Sequence, residues 1–157
     1  MPLEIERRFL ITEVDVKKIL ETSLDGVMIE QVYLPSNNGL GVRARRCDRG
    51  GETSCLLTVK RTVAHSVNEE HEVSIPLEMF EALSTGADRK ITKVRYPIPH
   101  DDLVIELDWF PDTGLFIAEV ELPAVDHPLR MPKWFGEEIT GRKEFSNYAM
   151  ASPFEQI

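Results

Sequence analysis

The sequence predicts a mainly-β fold, with antiparallel strands closed into a barrel and a few short helices outside it. Three observations lead there. Eight short stretches alternate with period two and are bounded by Gly, Pro, Asn and Asp, the pattern of half-buried strands. Only three brief stretches carry helical spacing, and many antiparallel strands with few helices make a barrel or a sandwich. The third observation selects the barrel: the faces that the strands share carry segregated acids and bases, which implies an enclosed polar interior.

In chain order the strands are expected at Glu4–Ile11, Val27–Leu34, Gly41–Cys47, Thr53–Arg61, Asn68–Ile75, Lys90–Tyr96, Leu103–Trp109 and Leu115–Leu122. The first helix follows the first strand. Thr12 with Asp15 resembles a capping box, and Val16, Ile19 and Leu20 share a face. Pro76 opens the second, which places Met79, Phe80 and Leu83 on one side and closes at Gly86. Near the end Phe145, Tyr148 and Ala149 have helical spacing again. No repeat, low-complexity run or linker interrupts the 157 residues, which read as one domain, 1–157.

Composition narrows the function classes. The 42% hydrophobic and 29% charged fractions are those of a folded globular chain. A net charge of −9 argues against general nucleic-acid or anionic-membrane partners, which call for a basic surplus. No apolar run approaches the roughly 20 residues of a membrane helix. The acidic start Met1-Pro2-Leu3-Glu4-Ile5-Glu6 lacks the basic-then-apolar order of a signal peptide, and two cysteines are too few for a disulfide scaffold. The expected location is the cytoplasm.

The contents of the strands carry the chemistry. Residues at i and i+2 of a strand point to one face. Here such pairs are Glu4/Glu6, Glu70/Glu72, Glu106/Asp108 and Glu119/Glu121 on the acidic side, and Arg43/Arg45 and Lys93/Arg95 on the basic side. Lys60 lies beside Thr58, and Arg8 follows the first acidic pair. The opposite faces are apolar: Leu3 and Ile5, Val42 and Ala44, Leu57 and Val59, Val73 and Ile75, Ile105 and Leu107, Ala118 and Val120. Any one of these strands would pass as an ordinary sheet with its polar face in water. As a set they do not, because a solvated face mixes Ser, Thr, Lys and Gln rather than sorting pure acids from pure bases.

Turn arithmetic sharpens this. A two-residue turn at Thr113-Gly114 would set Glu106 opposite Glu121 and Asp108 opposite Glu119. Like charges directly opposite are destabilising, so these four carboxylates call for a cation. Oxygen-only ligands suit a hard divalent ion such as Mg²⁺ or Mn²⁺. With Gly50-Gly51 as the middle turn, Arg49 faces Glu52, Arg43 faces Thr58, and Lys60 joins Arg43 and Arg45 on one face. Cys47 then faces Ser54 while Cys55 points to the other side, so the two cysteines are not expected to bond. An interior with one acidic and one basic wall suits a polyphosphate-like anion, held by guanidinium and ammonium groups and joined to the carboxylates through metal.

These residues resemble a known family. Glu4-Ile5-Glu6-Arg7-Arg8-Phe9-Leu10 is similar to the N-terminal E-x-E-x-K signature of the CYTH superfamily, the triphosphate tunnel metalloenzymes. The likeness continues through Gln31-Val32-Tyr33-Leu34, Arg43-x-Arg45, Thr58-Val59-Lys60, Glu70-x-Glu72, Lys93-x-Arg95-Tyr96, Glu106-x-Asp108 and Glu119-Val120-Glu121. It ends in Pro132-Lys133-Trp134-Phe135-Gly136-Glu137-Glu138-Ile139-Thr140. The resemblance implies an eight-stranded antiparallel tunnel that acts on triphosphates with divalent metal, Mg²⁺ or Mn²⁺, in a two-metal site. It implies metal at Glu4, Glu6, Glu119 and Glu121, with Glu106 and Asp108 as further metal ligands and Glu70 and Glu72 as catalytic, water-positioning acids. Arg8, Arg43, Arg45, Lys60, Lys93 and Arg95 would bind phosphate.

The short bacterial members are chiefly inorganic triphosphatases; others are thiamine triphosphatases, class IV adenylate cyclases or RNA triphosphatases. The expected partner is a small triphosphate, with a homodimer left open. One position departs from the pattern. The signature lysine, proposed with a tyrosine to activate water, is Arg8 here, which keeps the charge but, as a permanently protonated guanidinium, cannot serve as a base. That leaves Tyr33 to orient water, and a binder with little catalysis as the alternative. His65, His71, His100 and His127 show no ligand spacing and read as surface residues, and Trp134-Phe135 reads as a barrel cap.

Overall fold

In a computed structural model, which describes residues 3–21 and 25–153, eight long strands close on themselves. They are β1 (Leu3–Ile11), β2 (Val27–Leu34), β3 (Leu40–Arg49), β4 (Glu52–Ala64), β5 (Val67–Ile75), β6 (Arg89–His100), β7 (Leu103–Phe110) and β8 (Leu115–Leu122). Around the barrel the order is β2-β3-β4-β5-β1-β8-β7-β6, with β6 returning to β2; all neighbours are antiparallel. A two-residue β9 (Ser152–Pro153) adds to β6.

Closure needs stagger, and β1 and β6 supply it. β1 pairs with β5 over Leu3–Ile5 and with β8 over Ile5–Ile11. β6 pairs with β2 over Arg89–Arg95 and with β7 over Val94–His100.

The middle hairpin has the expected register, with Arg49↔Glu52, Arg43↔Thr58 and Cys47↔Ser54, and both cysteines are free. The last hairpin differs. Its pairing is Phe110↔Leu115, so the loop is the four residues Pro111–Gly114 rather than two. Proline has no N–H to extend the ladder. Instead the Thr113 and Gly114 amides both donate to the Phe110 carbonyl, Gly114 at φ 74°. The shift is two residues, so every side chain keeps its face. Glu106 now opposes Glu119, and Asp108 opposes Ile117.

Outward apolar residues are covered in two places. The helix α1 (Glu13–Leu20), capped by Thr12 accepting from the Asp15 amide, packs Val16, Ile19 and Leu20 onto Phe9, Ile105, Leu107, Ala118 and Val120. The helix α2 (Leu77–Thr85) buries Phe80 against Val32, Ala44 and Cys55. Met79 does not join it and remains exposed. Trp134 and Phe135 belong to the first cluster, with Phe135 stacked on Phe9 at 4.4 Å. They line the outer wall and do not cap the barrel. That packing brings Gly136 onto the Leu10 carbonyl, where an added Cβ would lie 2.4 Å from oxygen.

Inward-facing Tyr33, Ile91, Phe110 and Ile117 fill one end of the barrel together with Ile139 and Ala151. Over them the C-terminal segment folds as a 3-10 turn (Lys143–Phe145) and one helical turn, α3 (Asn147–Met150), broken by Ser146 in extended geometry. The single helix expected there is therefore two short pieces. Among the described residues, no helix is long and apolar enough to cross a membrane.

Candidate active site

The alternation of β1, β3, β4, β5, β6, β7 and β8 brings the expected charges into one interior. A central cavity of about 190 Å³ is lined by Glu4, Arg43, Arg45, Glu70, Glu72, Arg95, Glu106, Glu119 and Glu121. It adjoins a wider mouth of about 280 Å³ lined by Glu6, Arg8, Tyr33, Arg43, Lys60 and Tyr148, among others. Lys93 and Asp108 line neither. Both are about 1% exposed, behind the arginines.

The charges sort into two groups. In the first, Asp108 accepts from Lys93 Nζ at 2.8 Å and takes a two-pronged Arg95 fork at 2.7 and 2.9 Å. Arg95 also reaches Glu106. Lys93 donates a second hydrogen bond to Asn147 Oδ1 of α3 at 3.1 Å. Burial, with Arg95 and Arg45 nearby, pushes Lys93 down to about 7 despite Asp108. Asp108 pays burial as well, but Lys93 and Arg95 hold it below the usual range. Below about 7 the pair is an ammonium facing a carboxylate at 2.8 Å.

The second group is less well matched. Arg8 is 6% exposed, and one of its terminal nitrogens donates to the Phe145 carbonyl at 2.7 Å. Its Nε and Nη2, and Arg43 Nε, are buried without a hydrogen-bond partner among the described residues. Buried donors of this kind are costly unless something completes them. Burial and the neighbouring Arg43 and Arg95 lower Arg45, so mutual repulsion also marks the place for an anion.

The acids crowd in the same way. Lys60 Nζ lies 2.9 Å from Glu4, 3.9 Å from Glu70 and 4.0 Å from Glu6. Burial and the facing Glu119 push Glu6 well up, whereas Glu119, although buried, is held well down by Arg95 and a hydrogen bond from Glu6. Glu6 therefore holds the proton that the two share. Burial and a hydrogen bond with Glu4 push Glu70 up to about 7; Glu4 itself, in spite of burial, is lowered by Glu70 and Lys60. Burial also raises Glu106 and Glu121. Glu70 Oε2 has no hydrogen-bond partner among the described residues, and Glu72 accepts from Thr58 at 3.1 Å.

Acids so crowded that they share protons, with an orphaned buried oxygen, form an all-oxygen donor set that fits a hard divalent cation. Among the described residues, no three His, Cys, Asp or Glu gather tightly enough to hold an ion alone. Magnesium does not require such a cage, since it commonly takes one or two carboxylates and completes its shell with water and substrate phosphate.

The histidine reading holds for His65 and His71, which are exposed, whereas His100 and His127 are half-buried. His65 lines an outer mouth cavity of about 300 Å³ with Arg142 and Lys143. Sequence reasoning gave no role to Gln31, Asn68 or Asn147. Gln31 is fully buried between Arg45 and Tyr33, and Asn68 reaches Glu4. Gln31 could have been found from its place two residues before Tyr33, on the same face. Asn147 could not, because it arrives from the far end of the chain.

Known proteins are similar to this chain along nearly its whole length. The family model for the CYTH domain matches residues 2–153. An inorganic triphosphatase of Acetivibrio thermocellus is 32% identical over 151 residues, covering 94% of this chain and 92% of that protein. One from Nitrosomonas europaea is 32% identical over 156 residues, covering 94% and 96%. The crystal structure of an inorganic triphosphatase superposes with a TM-score of 0.62 at 32% identity, covering 96% of this chain and 95% of that one. A closed barrel with acids and arginines facing inward, matched along nearly its whole length, places this chain in the CYTH domain family.

Proposed function

We propose that the chain hydrolyses a triphosphate, inorganic tripolyphosphate foremost, within the tunnel. The observation that carries this reading is a set of buried guanidinium donors with no hydrogen-bond partner among the described residues: Arg43 Nε at the acid-lined central cavity, and Arg8 Nη2 and Nε at its mouth, the latter 3.6 Å from Glu119. Phosphate oxygens complete such forks, and the triphosphatase relatives agree with that substrate class.

Arg43, Arg45 and Arg95 line the centre and Arg8 and Lys60 the mouth, so a linear anion would lie along the row. Phosphoryl transfer gains chiefly from position and charge. Glu4, Glu6, Glu119 and Glu121, with Glu106 beside them, would hold Mg²⁺ or Mn²⁺. When bound, the ion would offset phosphate charge and lower the pKa of water. Asp108 fits a different role, because both its oxygens are engaged by Lys93 and Arg95; it fixes the cations.

Water attacks the terminal phosphorus, the bridging P–O bond breaks and pyrophosphate leaves. The water proton goes to Glu70 Oε2, an oxygen that accepts no hydrogen bond among the described residues, on a group poised near 7, where a general base works best. Arg8 binds phosphate and takes no proton.

A second reading has one observation in its favour. A cavity of about 490 Å³ beside the mouth, lined by Tyr33, Leu40, Asp88 and Tyr148 among others, has room for an organic group on the anion. One assay tests both: phosphate release from tripolyphosphate, ATP and thiamine triphosphate with Mg²⁺, Mn²⁺ or EDTA. Metal-dependent release from tripolyphosphate, lost in Glu6→Ala, is the expected result. Release only from the organic triphosphates favours the second reading, and no release from any refutes hydrolysis.

A further inference from the structure

Gln31 stands on β2 facing inward and is fully buried. Its Oε1 accepts from Arg45 Nε at 2.7 Å, and its Nε2 donates to the Tyr33 hydroxyl at 3.1 Å. Chemistry fixes which end of the amide is which. A guanidinium has no acceptor, so only the carbonyl oxygen can face Arg45, and the NH₂ must then face Tyr33. The other close partner of the phenol is Arg43, which can only donate. The Tyr33 oxygen thus receives protons from Gln31 and Arg43, and its own hydrogen has no acceptor on that side. The direction left to it is the mouth cavity that Tyr33 lines with Arg8 and Lys60.

We propose that Gln31 is a positioning residue that locks Arg45 and Tyr33 as one unit, with the phenol set to donate a hydrogen bond into the anion site. This rests on the triphosphate reading above. It assigns Tyr33 a donor's part, toward a phosphate oxygen or the oxygen of the attacking water, and removes it as a base. The charged groups facing the phenol, Arg43, Arg45 and Lys60, agree with an anion there. Arg45 is the side chain most in need of restraint, because Arg43 and Arg95 repel it. Without the amide it has no reason to stay in register with the phenol.

The test compares Gln31→Met, which removes both hydrogen bonds at similar volume, with Gln31→Glu, which keeps an acceptor for Arg45 but can no longer donate to Tyr33. Gln31→Met should raise KM and lower kcat for tripolyphosphate, each about tenfold. Gln31→Glu should keep KM within about threefold and lose kcat about tenfold or more, because its carboxylate draws the phenol proton to itself. Tyr33→Phe should add little to either variant, since the unit is already broken. A structural role alone would lower the melting temperature without splitting KM from kcat, and its effects would add to those of Tyr33→Phe.

A readout free of activity keeps this separable from the functional reading. The ultraviolet tyrosinate titration of Tyr33, taken as the difference from Tyr33→Phe, should move upward in Gln31→Met, because a donor to the phenolate is lost. An unmoved titration overturns the proposal even if tripolyphosphate is hydrolysed. A moved titration in a protein that neither binds nor hydrolyses tripolyphosphate upholds the clamp and refutes its substrate.

Discussion

Two clusters within one barrel are built from the same residue types and differ in one respect, whether their charges are satisfied. Around Asp108 every partner is present: Lys93, Arg95 and Asn147 close the network. Around Arg8, Arg43 and Glu70, buried nitrogens and an oxygen are left without a hydrogen bond among the described residues, with only longer ion pairs to Glu119 and Lys60. A buried ion pair is at best a modest source of stability, and breaking one is expensive. An incomplete cluster has already borne that cost and gains when a ligand completes it. The comparison separates residues that hold the tunnel together from residues that hold what enters it, a distinction that charge type and spacing do not reveal.

The largest expected effect falls on the incomplete cluster. Arg43→Met should reduce tripolyphosphate turnover about 10²–10³-fold and lower the melting temperature far less than Asp108→Asn does, since it removes a donor to Tyr33 but breaks no ion pair as close as those of Asp108. A large stability loss would break the comparison. Asp108→Asn should do the reverse. It strands Lys93 and Arg95 and should cost about 3–5 kcal/mol of unfolding free energy in a denaturant titration.

Next comes Glu70, with its pKa near 7. Its folded-state pKa lies above its unfolded value of about 4.3, so the stability it contributes is complete below that value and is lost as pH rises through about 7. Lys93 titrates in the same range with the opposite sign: depressed to about 7, its cost eases as pH rises. The difference between parent and Glu70→Gln melting curves isolates the carboxyl and should shift in favour of Glu70→Gln as pH rises from about 4.3 toward about 7. Turnover should climb over that window in the parent and stay low and flat, about tenfold or more down, in Glu70→Gln. The smallest effect is expected for Arg8→Lys. The guanidinium fork becomes one ammonium, and affinity for tripolyphosphate should weaken about threefold with little gain in kcat. A large rise in kcat would mark Arg8 as a crippling replacement.

Much of this was legible in the sequence because the side-chain period of a strand is two. The eight strands, the inward acids and arginines, and the Gly50-Gly51 register all follow from alternation and a short turn. The error at the last hairpin was harmless for the same reason. A slip of two residues changes who faces whom, Glu106 meeting Glu119 instead of Glu121, but not which side of the wall a residue occupies. Trp134 and Phe135 pack on Phe9 outside the barrel rather than capping its end. Aromatic character declares burial without declaring against what. Spacing alone predicts one terminal helix, because it does not register the break at Ser146.

By itself, then, the sequence determined the fold class, the polarity of the interior and the residues that face it, since alternation, turn residues and charge are local properties. Tertiary structure decided which of those residues are spent on one another. Lys93 meets Asp108 because β6 pairs with β7, Lys60 meets Glu4 because closure sets β5 beside β1, and Asn147 returns from the C-terminus to complete the first network. Chain closure and stagger join positions far apart in sequence, and pairing energy depends on distances of a few ångströms that no local pattern encodes.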